Sequence, residues 1–285
     1  MRQTMMVWFG AVLLCCSSFP VGAQIKEPQK ATETAPEKLR LGQAGSQPEL
    51  DAYNQMHNEV DPAQKKALID KFVVDYPDSG LLAYVFQDGV YLGRQSNNIE
   101  MMAEYGDKSL ALWPQNYTLL TELGSVYVQR DRVGQAEDMA KRALELVDAA
   151  EKPTHMTDQQ WAEGKKMLMS SNCTTLGFVH LRRAQASLEA AFRKSESAEA
   201  IPWFDRALGY HPADDFAFYG LGFTYAILND YPNAESNLAR AVAVNGIVMA
   251  SARSLLEGIY KSQHNQSLIG LEQVIAKAKA ELGLS

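Results

Sequence analysis

One pattern recurs along this sequence and limits what the chain can fold into. Each copy joins a Leu-Gly-x-x-Tyr run to alanines further along the chain. The first copy is marked by Leu123, Gly124, Tyr127, Ala136 and Ala143, and the second by Leu221, Gly222, Tyr225, Ala234 and Ala241. Partial copies precede both at a spacing of 34 residues, with Ser109 before Ala143 and Ala200 before Ala234. A period of this length predicts an array of similar supersecondary units.

The apolar residues between these markers recur with helical spacing rather than in the two-residue alternation of a strand. Helix starts are also readable. Asp61 precedes Pro62, which combines an N-cap acid with a proline at the first helical position. Thr157 and Gln160 have the spacing of a capping box. The sequence therefore predicts an all-α fold.

The two complete copies resemble the tetratricopeptide repeat (TPR) family. The resemblance implies a right-handed superhelical solenoid of stacked antiparallel helical hairpins. Two helices approach closely only where small residues meet, so Gly124 with Ala136, and Gly222 with Ala234, are expected to provide clearance. A single hairpin cannot bury its apolar face alone, so several must stack.

The 34-residue register divides the chain into segments. A TPR-like hairpin is expected at 48–82, repeats at about 83–116, 117–150, 170–214 and 215–248, and a C-terminal pair of capping helices at 249–285. The third repeat is irregular. Extra residues at 151–169 precede it and suggest an elongated first helix, while a further insertion at 184–194 separates its two helices.

The first residues read as a secretory signal peptide. Arg2 precedes an apolar run of about 12 residues, and Pro20 leads to small residues that predict cleavage after Ala23. The run is shorter than the roughly 20 residues that span a bilayer. Residues 1–23 are therefore the expected signal, and residues 24–47, which lack aromatic side chains, are the expected disordered linker. The predicted location is the periplasm or the medium. Lipidation of Cys15 or Cys16 is the alternative, and a membrane contact is expected only in that case.

Composition and motifs argue against most kinds of chemistry. A formal net charge of −7 disfavours nucleic acid as a partner, because phosphate binding needs clustered cations. The three cysteines form no Cys-x-x-Cys pair, and the histidines lack metal-ligand spacing. Cys173 and His180 lie two helical turns apart, too far for a thiol–imidazole pair, so Cys173 is interpreted as a buried apolar residue. We expect no catalytic residue, cofactor, metal or small-molecule substrate.

The resemblance places a candidate binding groove on the first helices of the repeats. Its candidate residues in the third and fourth repeats are Phe178, Arg182, Phe216, Tyr219, Phe223 and Ile227. The Lys and Asn residues of a carboxylate clamp are absent, because Thr121, Ser125, Tyr219 and Phe223 stand at those points. The strip suits an apolar helix or extended segment. Burial of the same residues against neighbouring helices is the alternative.

Together these features predict a non-catalytic, exported TPR scaffold that holds protein partners in the bacterial cell envelope. The alternative function is an accessory role in outer-membrane assembly, with the chain anchored by a lipid. The identity of the partner does not follow from the sequence.

Overall fold

The protein is described by a computed structural model, which covers residues 24–25 and 40–284. Within these residues the chain forms twelve helices and one pair of two-residue strands, which confirms the predicted all-α class. The strands are β1 (Gln24–Ile25) and β2 (Gln43–Ala44). The helices are α1 (Gln47–Asn58), α2 (Pro62–Asp75), α3 (Leu82–Gln95), α4 (Ile99–Leu112), α5 (Tyr117–Gln129), α6 (Val133–Ala149), α7 (Asp158–Ala186), α8 (Ala190–Tyr210), α9 (Asp215–Ile227), α10 (Tyr231–Val244), α11 (Met249–Gln263) and α12 (Leu271–Glu281).

The described chain divides into two compact units. The N-terminal unit ends at Leu119, and the C-terminal unit begins at Leu120, inside α5. The helix pairs α3–α4, α5–α6, α7–α8 and α9–α10 overlap the expected repeats at 83–116, 117–150, 170–214 and 215–248, whose bounds remain predictions. The right-handed superhelix remains a prediction. The expected signal peptide, residues 1–23, lies outside the described residues.

The repeat expected at 83–116, in the N-terminal unit, lacks the Leu-Gly-x-x-Tyr run. Gly89 and Gly93 provide the close contact between its two helices instead. A Cβ atom built on Gly89 would lie 2.4 Å from the Tyr105 ring, and one on Gly93 would lie 2.9 Å from Met102. Both glycines belong to α3, and their partners Tyr105 and Met102 belong to α4. The two helices therefore meet through glycine contacts at different repeat positions from those used in the regular copies.

The segment before α1 is ordered where the sequence predicted a linker. β2 pairs with β1 in parallel, and Ala44 is fully buried. The backbone N–H of Gly42 donates to the carbonyl of Gly80 at 2.8 Å, and a Cβ atom on Gly80 would collide with the carbonyl of Arg40. At residues 40–46 this differs from the disordered linker expected over 24–47, while residues 26–39 lie outside the described residues. The composition of the segment could not predict this order, because the space for the segment comes from Gly80, which is distant in the sequence.

In the C-terminal unit the repeat markers are buried, as their packing role requires. Leu123, Tyr127, Leu221 and the four alanines Ala136, Ala143, Ala234 and Ala241 are at most 3% exposed. Tyr225 is half-buried. At the end of the chain α12 packs against α10, and Leu271 and Ala278 provide its buried side.

The irregular third repeat is a hairpin of two long helices. α7 has 29 residues and begins at Asp158, capped by the reciprocal Thr157–Gln160 hydrogen bonds that the sequence predicted. Most of the segment at 151–169 therefore lengthens the first helix. The insertion at 184–194 supplies the last turn of α7, the connection and the start of α8.

The two repeat glycines are not equivalent. A Cβ atom on Gly222 would lie 2.5 Å from Cγ and 3.2 Å from the backbone nitrogen of Leu238, so its steric partner is Leu238 rather than the expected Ala234. A Cβ atom on Gly124 would lie 3.5 Å or more from every neighbour, at ordinary van der Waals distance. The clearance that the sequence predicted is thus required at Gly222 and not at Gly124.

This difference predicts opposite signs for two identical substitutions. Gly222→Ala should lower the free energy of unfolding by about 1–3 kcal/mol, because a fully buried leucine must shift. Gly124→Ala should raise it by up to about 1 kcal/mol, since alanine is the better helix former. Urea denaturation of both variants and the parent protein measures the two changes. Destabilisation of the same size at both positions would contradict the prediction.

Candidate functional site

Three first helices of the C-terminal unit, α5, α7 and α9, are joined by buried hydrogen bonds. The Asn172 side-chain amide on α7 donates to the Thr121 hydroxyl on α5 at 2.8 Å. The hydroxyls of Ser170 and Thr174, also on α7, donate to Asp214 at 2.8 and 3.0 Å. Asp214 is the N-cap of α9 and accepts from the backbone N–H of Ala217 at 3.0 Å. These bonds fix the register of the surface that the first helices form.

Packing between the same helices depends on the Phe204 ring of α8. Phe204 is fully buried, and Cβ atoms on Gly177 and Gly220 would lie 2.5 and 2.3 Å from it. The ring therefore occupies the space that both glycines leave free. Gly220 is therefore a packing residue in the middle of α9. Phe178 meets the ring edge to face, with centroids 5.2 Å apart.

The structure separates the six predicted groove residues into two groups. Phe178, Phe216 and Tyr219 are buried, at 6%, 1% and 1% exposure. Burial raises the pKa of Tyr219 to about 12, and the nearby Arg182 opposes this shift. These three side chains follow the burial alternative and form core contacts.

Arg182, Phe223 and Ile227 are half-buried and remain accessible. Phe223 lies beside the buried Tyr219, with ring centroids 6.5 Å apart. The Arg182 guanidinium lies 3.6 Å from the carboxylate of Asp131, which follows α5. We call Arg182, Phe223, Ala226 and Ile227 the first-helix strip. It is a small apolar surface with one cation at its edge.

The structure also contains a cleft that was not predicted from the sequence. It is a cleft of about 500 Å³ in the N-terminal unit, between α2 and α4. Buried Ile69, Phe86 and Tyr105 form its floor, and the largely exposed Val74 lies at its edge. Charged side chains surround it, namely Lys66, Asp70, Glu100, Glu104 and Lys108. We call it the α2–α4 cleft. Periodicity could not reveal it, because its walls come from two different hairpins.

The thiol that the sequence singled out is buried, as expected. Cys173 is fully buried and free, and burial raises the pKa of its thiol to about 11. The His180 ring nitrogen Nδ1 pairs with Glu196 at 2.9 Å. Cys173 therefore packs as an apolar residue, and His180 belongs to a side-chain hydrogen bond between α7 and α8.

The described residues contain no group of three or more His, Cys, Asp or Glu side chains arranged to hold a metal ion. No helix in residues 40–284 combines the length and the apolar character needed to cross a bilayer.

A buried ionic cluster lies in the N-terminal unit. Asp88 accepts from the Lys65 ammonium at 2.9 Å and pairs with His57 Nδ1 at 2.9 Å. Lys65 also donates to the backbone carbonyl of His57 at 2.8 Å. Tyr53 stacks on the imidazole, with ring centroids 5.6 Å apart. The cluster joins α1, α2 and α3, and its imidazole remains accessible to solvent.

The hairpins, their 34-residue period and the glycine contacts between paired helices give this chain a fold of the TPR kind. No protein-family model matches the sequence, and no curated protein matches it. Solved structures that are similar to it in fold include the three that follow.

The first similar structure is YrrB, described as a TPR protein with an unusual peptide-binding site, with 18% identity and a TM-score of 0.41 over 74% of this chain and 92% of that one. The second is PilF from Pseudomonas aeruginosa, with 16% identity and a TM-score of 0.42 over 82% of this chain and 95% of that one. The third is a tetratricopeptide repeat protein from Parabacteroides merdae, with 14% identity and a TM-score of 0.37 over 84% of this chain and all of that one. At these scores, no binding site or role is carried over to this chain.

The ionic cluster predicts a pH-dependent contribution to stability. The hydrogen bond to Asp88 raises the pKa of His57, while burial and Lys65 oppose the increase. A raised folded-state pKa means that protonated His57 stabilises the fold below its unfolded-state pKa, and that this stabilisation is lost as the pH rises through the folded-state pKa. His57→Gln should therefore lower the melting temperature more at pH 5.5 than at pH 8.5.

Thermal unfolding of the parent and variant across that pH range measures the difference. NMR titration of the imidazole should give a His57 pKa above its usual value of about 6.5. An equal loss of melting temperature at both pH values would contradict the prediction. His155→Gln, which changes a histidine outside the cluster, is the control.

Proposed function

We propose that this protein is a non-catalytic scaffold that binds protein partners on the first helices of its C-terminal unit. The observation that supports the proposal is the partial exposure of Phe223 and Ile227 on a helix whose neighbouring side chains, Phe216 and Tyr219, are buried. Buried hydrogen bonds between α5, α7 and α9 hold this surface in place. A preorganised surface binds with a smaller entropic penalty than a flexible one.

The chemistry of the first-helix strip favours an apolar segment with an acidic residue beside it. Phe223 and Ile227 lie one helical turn apart, so they can contact two consecutive apolar anchors of a partner helix or extended segment. The Arg182 guanidinium is paired with a carboxylate, Asp131, that is itself largely exposed. A partner carboxylate can replace Asp131 there, since an exposed ion pair of this kind contributes little to stability.

The test replaces accessible residues and leaves the buried ones intact. Phe223→Ser with Ile227→Ser should reduce partner capture at least tenfold while the protein stays folded. The measurement is photocrosslinking of partners in extracts, with a photoreactive amino acid at position 226 and the two substitutions present or absent. The matched control is Ile269→Ser, which removes an 89% exposed side chain in the connection before α12.

Undiminished crosslinking in the double variant would refute binding at this strip. So would a loss of the same size with Ile269→Ser. Circular dichroism and thermal unfolding of each variant separate lost binding from lost structure.

We also propose that the scaffold acts in the bacterial cell envelope, after cleavage following Ala23. Support comes from the signal-like sequence of residues 1–23. An accessory role in outer-membrane assembly, with Cys15 or Cys16 lipidated, is the second candidate.

Mass spectrometry of the protein isolated from its native host distinguishes the two candidates. Cleavage after Ala23 predicts a chain that begins at Gln24, in free or cyclised form. Lipidation predicts a chain that begins at Cys15 or Cys16 and carries acyl mass. An uncleaved chain that begins at Met1 would contradict both predictions.

A further inference from the structure

The connection between α10 and α11 begins with the pair Asn245-Gly246, and no other asparagine of the sequence precedes a glycine. Both residues are exposed. Asn245 is the C-cap of α10 and lies in the left-handed region, with φ 58° and ψ 35°. A glycine at the next position leaves its backbone nitrogen open to the asparagine side chain, because it has no Cβ atom and adopts many conformations.

The N–H of Gly246 lacks a hydrogen bond that is present at comparable helix ends. Where a left-handed residue ends a helix, the next N–H commonly donates to the carbonyl five residues earlier. The residues after Asn97, Asn229 and Asn265 form this bond, at N···O distances of 2.7, 2.9 and 2.8 Å. Gly246 does not form it. Within the described chain, no backbone hydrogen bond at this nitrogen therefore opposes rotation of the peptide that joins it to Asn245.

We propose that Asn245 and Gly246 form a spontaneous modification site. The backbone nitrogen of Gly246 attacks the side-chain carbon Cγ of Asn245, and the bond from Cγ to the amide nitrogen breaks. Ammonia leaves with the proton of the Gly246 nitrogen, and the product is a five-membered succinimide ring. Water then opens the ring at either of its two carbonyls, which yields aspartate in one case and isoaspartate in the other. Water is the only co-reactant.

The modification adds a negative charge beside a contact that holds the connection to α9. The Asp215 carboxylate lies against Gly246, since a Cβ atom built on this glycine would lie 2.2 Å from the oxygen Oδ2. The same oxygen accepts from the backbone N–H of Val248 at 3.2 Å. Burial raises the pKa of Asp215, so its surroundings already disfavour negative charge. Isoaspartate also lengthens the backbone by one carbon, so the modified connection loosens from Asp215.

Peptide mapping by mass spectrometry measures the conversion in the folded protein. The purified parent protein is incubated at neutral pH, and aspartate and isoaspartate at position 245 are quantified over several weeks. Both products should accumulate, because the ring opens at either carbonyl. An Asn245 that persists throughout overturns the proposal. So does a product that contains aspartate alone, since direct hydrolysis of the amide gives no isoaspartate.

Gln266→Gly provides the matched control. It places a glycine after Asn265, which is also exposed and left-handed, but the N–H at position 266 donates to the carbonyl of Lys261. Gln266 has a positive φ of 64°, so a glycine adopts this backbone without strain. In this variant Asn245 should convert at least fivefold faster than Asn265. Equal rates at the two positions would mean that the free nitrogen of Gly246 has no effect, and would overturn the proposal.

Hydrogen–deuterium exchange tests the loosening of the connection. Anion exchange separates the converted protein, which carries an additional negative charge, from the unconverted protein. Amides around Val248 should exchange at least threefold faster in the converted protein, whereas those of α6 should be unchanged. Equal exchange around Val248 in the two fractions overturns the predicted loosening.

Asn245→Gln is the control for the incubation itself. Its longer side chain would have to form a six-membered ring, which is far slower, so exchange around Val248 should stay slow in this variant. Faster exchange in the variant after the same incubation would assign the loosening to another cause and overturn the proposal. None of these experiments involves the first-helix strip, so their outcomes are separate from the test of the scaffold function.

Discussion

The Phe204 ring is the contact on which the C-terminal unit depends. It lies in the gap left by Gly177 and Gly220, and it meets Phe178 edge to face. One side chain of α8 thus sets the approach of both α7 and α9. Complete burial of a phenylalanine stabilises a fold by about 1.5–3 kcal/mol, and an aromatic pair adds about 0.5–1.5 kcal/mol. The energy is modest, but the geometry is demanding because no larger residue fits at either glycine.

That close approach has consequences for polar groups and for function. Because α7 and α9 are close, Ser170 and Thr174 reach Asp214, and each buried hydroxyl has a hydrogen-bond partner. The same approach buries Phe178, Phe216 and Tyr219, which removes them from the surface. The accessible remainder of the predicted groove is the end of α9, where Phe223 and Ile227 lie, together with Arg182 of α7. Packing in the repeat therefore limits the surface that is left for binding.

Irregularity in the repeat accounts for the surfaces that a regular array would lack. The insertion at 184–194 lengthens the α7–α8 hairpin and exposes Leu188. In the N-terminal unit, Gly89 and Gly93 bring α3 and α4 together at shifted positions, while the α2–α4 cleft lies beside them. Both features arise where the sequence departs from the pattern of its regular copies.

The sequence by itself determined the all-α class, because helical spacing and capping residues are local signals. It also predicted the caps at Asp61 and Thr157. Only the tertiary structure decided which groove residues are accessible, which glycine is sterically required and where a cleft forms. It also showed that the segment around Ala44 is ordered. Each of these depends on distances between residues far apart in the chain, and such distances are set by how helices pack rather than by the pattern along any one of them.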